Sequence, residues 1–454
     1  MRLQSISWAV AVVLWLSVAG SPLRAALWIT GYYPQYEQSQ IAVSKINFAT
    51  VTHVIHFCLE AEPDGTIDSA DNGLTETACS SFVATVHNGG RKALICVGGA
   101  GSEAGFEGAT TPDNLPSFVS SLAGFMSSNN YDGVDIDWEP LSSADVPQYT
   151  NFVKALRSAL NKYSAQKLLT VAAPAYPEYG DSPTAEYTMF ASIEDQFDQI
   201  NIMTYDLSGP YEGWVTWYNS PIYDGGYTFP STGGLVPSDN GAVDNFIANG
   251  VAPGKLAVGL PFYGYIWLGV TQPREGWSST NTPTFSAFTY QTIVNTYYQS
   301  NCYHWDTVAQ AAYLSLTNAQ PANDMFISYD DASACQTKVS YARNRGLGGI
   351  MIWELSQDYF ANRSAGQETP LVQALSQSLA TPQIESADIQ GGSVAFSFSS
   401  LPLAEYRILW TSNLNGGAWE TLSNNIPGTG GLVWITDQIG IGAGARFYRV
   451  QTPP

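Results

Sequence analysis

Charge is scarce in this chain, and it leans one way. Of 454 residues only 13% are Asp, Glu, Lys or Arg, with 18 basic against 39 acidic. A formal charge of -21 repels nucleic acid, heparin-like polymers and anionic membranes. Neither nucleic acid nor a membrane is therefore expected as partner, and the substrate should be neutral or cationic. Histidine is rarer still. The four residues are scattered, no spacing suits a metal cage, and no metal site or cofactor is expected. Five cysteines are too few for a disulfide scaffold. The pairs nearest in sequence are Cys58–Cys79 and Cys302–Cys335, and the connectivity stays open. Glycine-rich phosphate fingerprints are also missing: no GxGxxG follows the first strand-like run, and no GxxxxGK[ST] occurs. Nucleotide-binding classes lose their main support.

Past the N-terminus, no stretch is long and apolar enough to cross a bilayer. The N-terminus itself reads "MRLQSISWAVAVVLWLSVAGSPLRAALW": a basic Arg2, an apolar run over 6–18, then small residues near Ala25. This is the pattern of a secretory signal peptide over residues 1–25. The mature protein is expected to be extracellular, soluble and monomeric.

What is present is apolar and aromatic. Hydrophobic residues make up 45% and aromatic residues 13%, enough for a large core. Short β-forming runs recur: "LWITGYY", "THVIHFC", "KALICVG", "GVDIDWE", "LLTVAAP", "QINIMTY", "KLAVGLP" and "GGIMIWE". Several are almost wholly apolar, as strands buried on both faces are. Segments with helical spacing, such as "LPSFVSSLAGFMSSNN", lie between them. Eight strands alternating with helices predict a (β/α)8 barrel, with a doubly wound open sheet as the rival. The barrel should occupy 26–380. The gap before the last strand is long enough for an inserted α+β subdomain over 265–325. From residue 383 the text changes to short β runs between Gly and Asn turns, which predicts a small β-sandwich over 383–454.

One run stands apart. "YDGVDIDWEP" packs four of the chain's few acids into eight positions, Asp132 to Glu139. Side chains alternate faces along a strand, so Asp135, Asp137 and Glu139 share one face. Val134, Ile136 and Trp138 take the other, suited to packing against outer helices. Asp132 has the opposite parity and a separate role. Carboxylates about 6.5 Å apart at Cα inside a barrel repel one another. They must share protons, or one must stay neutral. Glu139 ends the strand on the face where barrel enzymes keep their chemistry. A neutral acid backed by an Asp pair suits glycoside cleavage, which needs a proton on a poor leaving oxygen.

These motifs resemble family 18 glycoside hydrolases, the chitinases. "DGVDIDWE" matches the family's DxxDxDxE strand, and "KALICVGG" its SxGG strand. "INIMTYDLSGPYEGW" is similar to its MxYD strand and following Trp. "VAPGKLAVGLPFYG" and "LGGIMIWELSQD" are similar to its last two strands. The resemblance covers 27–360 and implies a secreted enzyme that hydrolyses β-1,4 linkages of N-acetylglucosamine with retention. Chitin or its oligomers would be the substrate. Cleavage of N-glycan cores, or sugar binding without catalysis, are the alternatives. The resemblance assigns Glu139 as general acid and base. It makes Asp137 the partner of the substrate's acetamido N–H, Asp135 its proton-sharing neighbour and Tyr205 a donor to the acetamido oxygen. Trp353 would be the floor under the sugar. Asp206, Met203, Tyr32, Phe57, Trp214 and Tyr263 would bind sugar, and Trp217, Trp267 and Trp277 are further stacking candidates on loops. The chain departs from the pattern at Cys96, which replaces the Ser of SxGG and is a weaker donor. It departs also at Pro140, directly after Glu139, and at Tyr265, where many relatives carry Arg. In the C-terminal module, Trp410, Trp419 and Trp434 are candidates for polysaccharide binding.

Overall fold

A computed structural model describes residues 27–176, 184–277, 283–380, 382, 384–390, 392–400, 405–414, 418–429, 432–439 and 445–451. The expected signal peptide lies outside them. The first strands are β1 (Trp28–Pro34), β2 (His53–Ala61), a short β3 (Ile67–Asp68), β4 (Lys92–Gly99), β5 (Gly133–Trp138), β6 (Leu168–Pro174), β7 (Gln199–Met203) and β8 (Leu256–Pro261). An insertion follows, with β9 (Tyr263–Leu268), β10 (Phe285–Thr289), β11 (Tyr303–Asp306), β12 (Ala311–Leu316) and β13 (Met325–Tyr329). Then comes β14 (Gly349–Trp353). Strands β1, β14, β8, β7, β6, β5, β4 and β2 lie side by side in parallel, and β1 pairs with β2 to close the ring. This is the (β/α)8 barrel that the alternation predicts. The open-sheet rival is excluded by the closure.

The helices are α1 (Glu76–Asn88), α2 (Glu103–Ala109), α3 (Leu115–Ser128), α4 (Val146–Leu160), α5 (Thr184–Ile193), α6 (Asp239–Ala248), α7 (Tyr290–Thr296), α8 (Ala332–Arg345) and α9 (Pro370–Ala380). None is long and apolar enough to cross a membrane, among the described residues. The main core lies between barrel and helices. Val134, Ile136 and Trp138 join it there, and Trp138 stacks on Phe106 of α2 at 4.6 Å. A second cluster fills the barrel's interior with Tyr32, Ile55, Phe57, Leu94, Cys96, Tyr205, Tyr263 and Met351. Asp132, the acid of opposite parity, is a latch. It accepts bonds from His87 Nε2 and Lys92 Nζ, both at 2.8 Å, and from the Ala93 N–H at 2.9 Å. Burial opposes its charge, but these bonds hold its carboxyl below the usual range.

The insertion is a five-stranded antiparallel sheet in the order β10-β9-β13-β12-β11, from Tyr263 to Tyr329. Beneath it sits a buried charge cluster. Lys338 of α8 contacts Asp239 at 3.1 Å and Asp330 at 2.8 Å, and all three are buried. Its ammonium also donates to Ser220, whose hydroxyl donates to the Thr204 carbonyl. Replacing Lys338 by Met leaves two buried carboxylates without their cation. The loss should be about 3–5 kcal/mol, read as a lowered midpoint in urea unfolding.

The C-terminal segment forms β15 (Ile384–Gln390), β16 (Ser393–Ser399), β17 (Glu405–Thr411), β18 (Glu420–Pro427), β19 (Leu432–Gln438) and β20 (Phe447–Gln451). They make two three-stranded sheets, β15-β16-β19 and β18-β17-β20. Phe396 and Phe398 from one sheet meet Tyr406 and Ile408 from the other in one cluster. Strands β15 and β18 are too polar to stand out in the sequence. Trp410 and Trp419 each carry an arginine over the ring, Arg446 at 3.8 Å and Arg449 at 4.4 Å. Trp434 is exposed.

Candidate active site

Strand β5 places Asp135 and Asp137 inside the barrel, and Glu139 follows at its C-terminal end. The interior accepts these acids because each has partners. Asp135 takes a bond from the Tyr32 hydroxyl at 2.8 Å and another from the Thr170 hydroxyl. The Cys96 thiol supplies a third. Cys96 stands opposite Asp135 in the β4–β5 register, and Thr170 opposite it on β6. The weaker donor is thus one of three. Burial pushes the Asp135 carboxyl up to about 6, against the pull of those bonds.

Asp137 and Glu139 lie within hydrogen-bonding reach of one another. Burial comes first in raising Asp137, and the charges of Glu139 and Asp135 add to it. Burial also raises Glu139 and Asp206 adds to the rise, while the bond to Asp137 works the other way. Two buried carboxyls in contact cannot both ionise cheaply, so the pair holds a proton well above the ordinary carboxylate range. Asp137 Oδ1 is buried without a hydrogen-bond partner.

Glycine makes the close approach possible. Gly98 faces Asp137 with φ +104°, and a Cβ there would sit 2.0 Å from the Asp137 carbonyl oxygen. The loop after β4 then grips the end of β5. Ser102 Oγ accepts from the Glu139 N–H at 3.1 Å and donates to the Asp137 carbonyl at 3.2 Å.

The remaining candidates sort into two groups. Tyr205, Tyr263, Tyr32, Phe57, Met203 and Trp353 all belong to the interior cluster around the acids. Trp353 packs on Phe57 at 4.9 Å and Tyr32 at 5.3 Å. The Tyr205 hydroxyl points to Met351 Sδ at 3.8 Å, and the charges of Asp137 and Glu139 reach it. Asp206 is exposed at φ +57° and accepts from the hydroxyls of Tyr263 and Tyr265, both at 2.6 Å. Tyr265 thus stands on the same carboxylate where an Arg was expected. Asn219 fixes this corner, taking the Asp206 N–H at 2.8 Å and donating to the Tyr263 carbonyl at 3.3 Å.

Four tryptophans stand elsewhere. Trp214 packs with Tyr211 and Phe229 at 4.9 and 4.6 Å, in the cluster beside the inserted sheet. Trp217 and Trp267 are fully buried in that cluster, and Trp277 packs on Trp267 at 5.4 Å. Stacking on a ligand is excluded for the buried pair, because no face reaches the surface.

Thr170, Ser102 and Asn219 were not singled out in the sequence. Thr170 could have been, since its place in "LLTVAAP" gives it the inward parity of a strand beside β5. Ser102 and Asn219 lie on loops and carry no pattern. The cysteines are unpaired, and Cys58 and Cys79 are buried separately. Among the described residues no group of His, Cys, Asp and Glu could hold a metal.

A cavity of about 490 Å³ opens beside the acids, lined by Glu139 and Trp353 together with Tyr36, Phe57, Glu60 and Asn72. An acid of raised pKa and an aromatic side chain, Glu139 and Trp353, both face it.

Comparisons with known proteins cover the barrel that holds these residues. The model of glycosyl hydrolases family 18 matches residues 28–358. Chitinase A1 of Niallia circulans is 33% identical over 296 residues, 59% of this chain and 40% of that protein's length. Chitinase 1 of Aphanocladium album is 28% identical over 373 residues, 74% of this chain and 82% of that protein. Among solved structures, the Ostrinia furnacalis Group IV chitinase in complex with allosamidin superposes with a TM-score of 0.64. It is 23% identical and covers 78% of this chain and 99% of its own. That likeness bears on the fold.

Proposed function

The chain belongs to glycosyl hydrolases family 18, and from that premise we propose that it cleaves β-1,4-linked N-acetylglucosamine chains, chitin and its oligomers, with retention. The relatives named as chitinases support the substrate class. The observation that carries the mechanism is Asp137: a buried carboxylate with one oxygen unpartnered, touching Glu139. An acetamido N–H is the donor that oxygen lacks.

The steps follow from the residues. Glu139 gives its proton to the glycosidic oxygen as the C1–O bond breaks, and the bonding pair leaves with that oxygen. The carbonyl oxygen of the sugar's own 2-acetamido group attacks C1 from the opposite face and closes an oxazolinium ring. Asp137 accepts the acetamido N–H and faces the positive charge. Tyr205 donates to the acetamido oxygen and Met203 packs on the group. Asp135, held by Tyr32, Thr170 and Cys96, supports Asp137 from below. Trp353 is the floor under the distorted sugar, with Tyr32 and Phe57 against it. Asp206 and Tyr263 bind the sugar at the rim. Glu139, now a carboxylate, takes a proton from water. The hydroxide equivalent attacks C1 on the face the leaving group left, while the C1–O bond of the oxazolinium ring breaks and its pair returns to the acetamido carbonyl, and two inversions give retention. We further propose that the enzyme works outside the cell, on the strength of its N-terminal signal pattern.

The test is a product assay. Chitin hexamers should be cut to β-anomers, seen by proton NMR before mutarotation, and a thiazoline analogue of the intermediate should inhibit. Cello-oligomers lack the acetamido group and should stay intact. Cleavage of cello-oligomers, or α-anomers at first sight, overturns the mechanism. Release of glycans from glycoprotein with intact chitin hexamer overturns the substrate.

A further inference from the structure

We propose that the cavity beside Glu139 is a subsite for a sugar with a free amine, a glucosamine residue next to the N-acetylglucosamine being cleaved. The inference rests on the chitin-chain reading and narrows its substrate to partly de-N-acetylated chains.

The cavity's chemistry is one-sided. Its charged lining groups are Glu60 and Glu139, and no Lys, Arg or His lines it. Glu139 is committed to the reaction, which leaves Glu60. Its side chain is half-buried at the end of β2 and is held in place. Asn72 Nδ2 donates to Glu60 Oε1 at 3.0 Å and to the Cys58 carbonyl at 3.1 Å. One amide thus ties the carboxylate to the backbone of its own strand. Glu60 Oε2 has no hydrogen-bond partner among the described residues. A positioned carboxylate with one open oxygen, in a cavity without cations, suits an ammonium group better than a hydroxyl. Charge-assisted bonds are about twice as strong as neutral ones.

The rest of the wall suits a pyranose. Phe57, 4.9 Å from the Trp353 floor of the reacting sugar and 6.4 Å from Tyr36, extends the apolar wall for the neighbouring sugar's C–H groups. The volume, about 490 Å³, lies within the range of small-ligand sites. At -21 the whole chain also draws a polycation toward its surface. Two acids then read two different nitrogens. Asp137 demands an N-acetyl group at the reacting sugar, and Glu60 favours a bare amine beside it.

The experiment compares kcat/KM for soluble, partly acetylated chitosan with kcat/KM for the fully N-acetylated hexamer, at mildly acidic pH where the amine is protonated. Wild type, Glu60→Gln and Glu60→Asp are measured as full chains. The chitosan-to-hexamer ratio should fall about fivefold in Glu60→Gln, which is about 1 kcal/mol. Glu60→Asp should keep part of it. Sequencing of wild-type product ends should find glucosamine enriched one residue from the cleaved bond, with the enrichment lost in Glu60→Gln. An unchanged ratio, or equal losses on both substrates, overturns the inference while the chitin reading stands. A wild type that cuts neither substrate sinks the chitin reading and this inference with it.

Discussion

Replacing Glu139 by Gln should lower kcat on a chitin hexamer by a factor of about 10³, the usual worth of a positioned general acid. The amide keeps the shape of the side chain and its place after β5, so the Ser102 bond to the Glu139 N–H survives. It has no proton to give the glycosidic oxygen and cannot draw one from water. Affinity for the hexamer should stay within about threefold, since the proposed sugar contacts, Trp353, Asp206 and the interior aromatics, do not depend on the proton. Isothermal titration on the variant and initial rates on both proteins measure the two effects. The pH profile adds a second reading. Burial raises the pKa of Glu139, so the acid form persists above the ordinary carboxylate range. Wild-type activity therefore falls as pH rises through that raised value, and the limb should be absent from the residual activity of the variant. Equal rates for wild type and variant would remove Glu139 from the chemistry.

Legibility in the sequence followed periodicity. The eight barrel strands are short, apolar and buried on both faces, so each stood out as a run. The run 133–138 gave more, because its alternation named the faces as well as the strand: Val134, Ile136 and Trp138 lie in the outer core, and Asp135 and Asp137 point inward. Polar strands were harder. β15 and β18 have few apolar residues in their runs and pair mainly through backbone bonds, which leave no trace in side-chain pattern. Loop contacts were hardest. Ser102 reaches Glu139 only because the short loop after β4 carries it over the end of β5. Asn219 meets Asp206 across thirteen positions. Neither distance follows from spacing. Tryptophan misled for a related reason: Trp217 and Trp267 look like surface residues on loops, but Trp267 lies on β9 of the inserted sheet and both rings are buried in the cluster beside it.

The second large effect belongs to Asp137, and it separates charge from proton transfer. Asp137→Asn is nearly isosteric and should leave the barrel folded, because the inward position already tolerates a neutral group: burial and the neighbouring charges of Glu139 and Asp135 push Asp137 well above its ordinary pKa. In the reaction the demand reverses. On the proposed route the pair's shared proton sits on Glu139 when substrate is bound; as C1–O breaks it passes to the leaving oxygen, positive charge grows on the acetamido ring, and the ionised Asp137 faces it. On that route its Oδ1, buried and unpartnered in the free protein, accepts the acetamido N–H. An asparagine oxygen can accept that bond but brings no charge, and preorganised charge at such a point is worth about 10²–10³ in rate. The expected result is a kcat lowered by that factor, with a thiazoline analogue binding at least about tenfold more weakly, as loss of one charge-assisted bond implies. Glu139→Gln, by contrast, should bind the analogue nearly as well as wild type. If Asp137→Asn keeps full affinity for the analogue, the carboxylate does not face the acetamido group, and the substrate-assisted route loses the residue that sustains it.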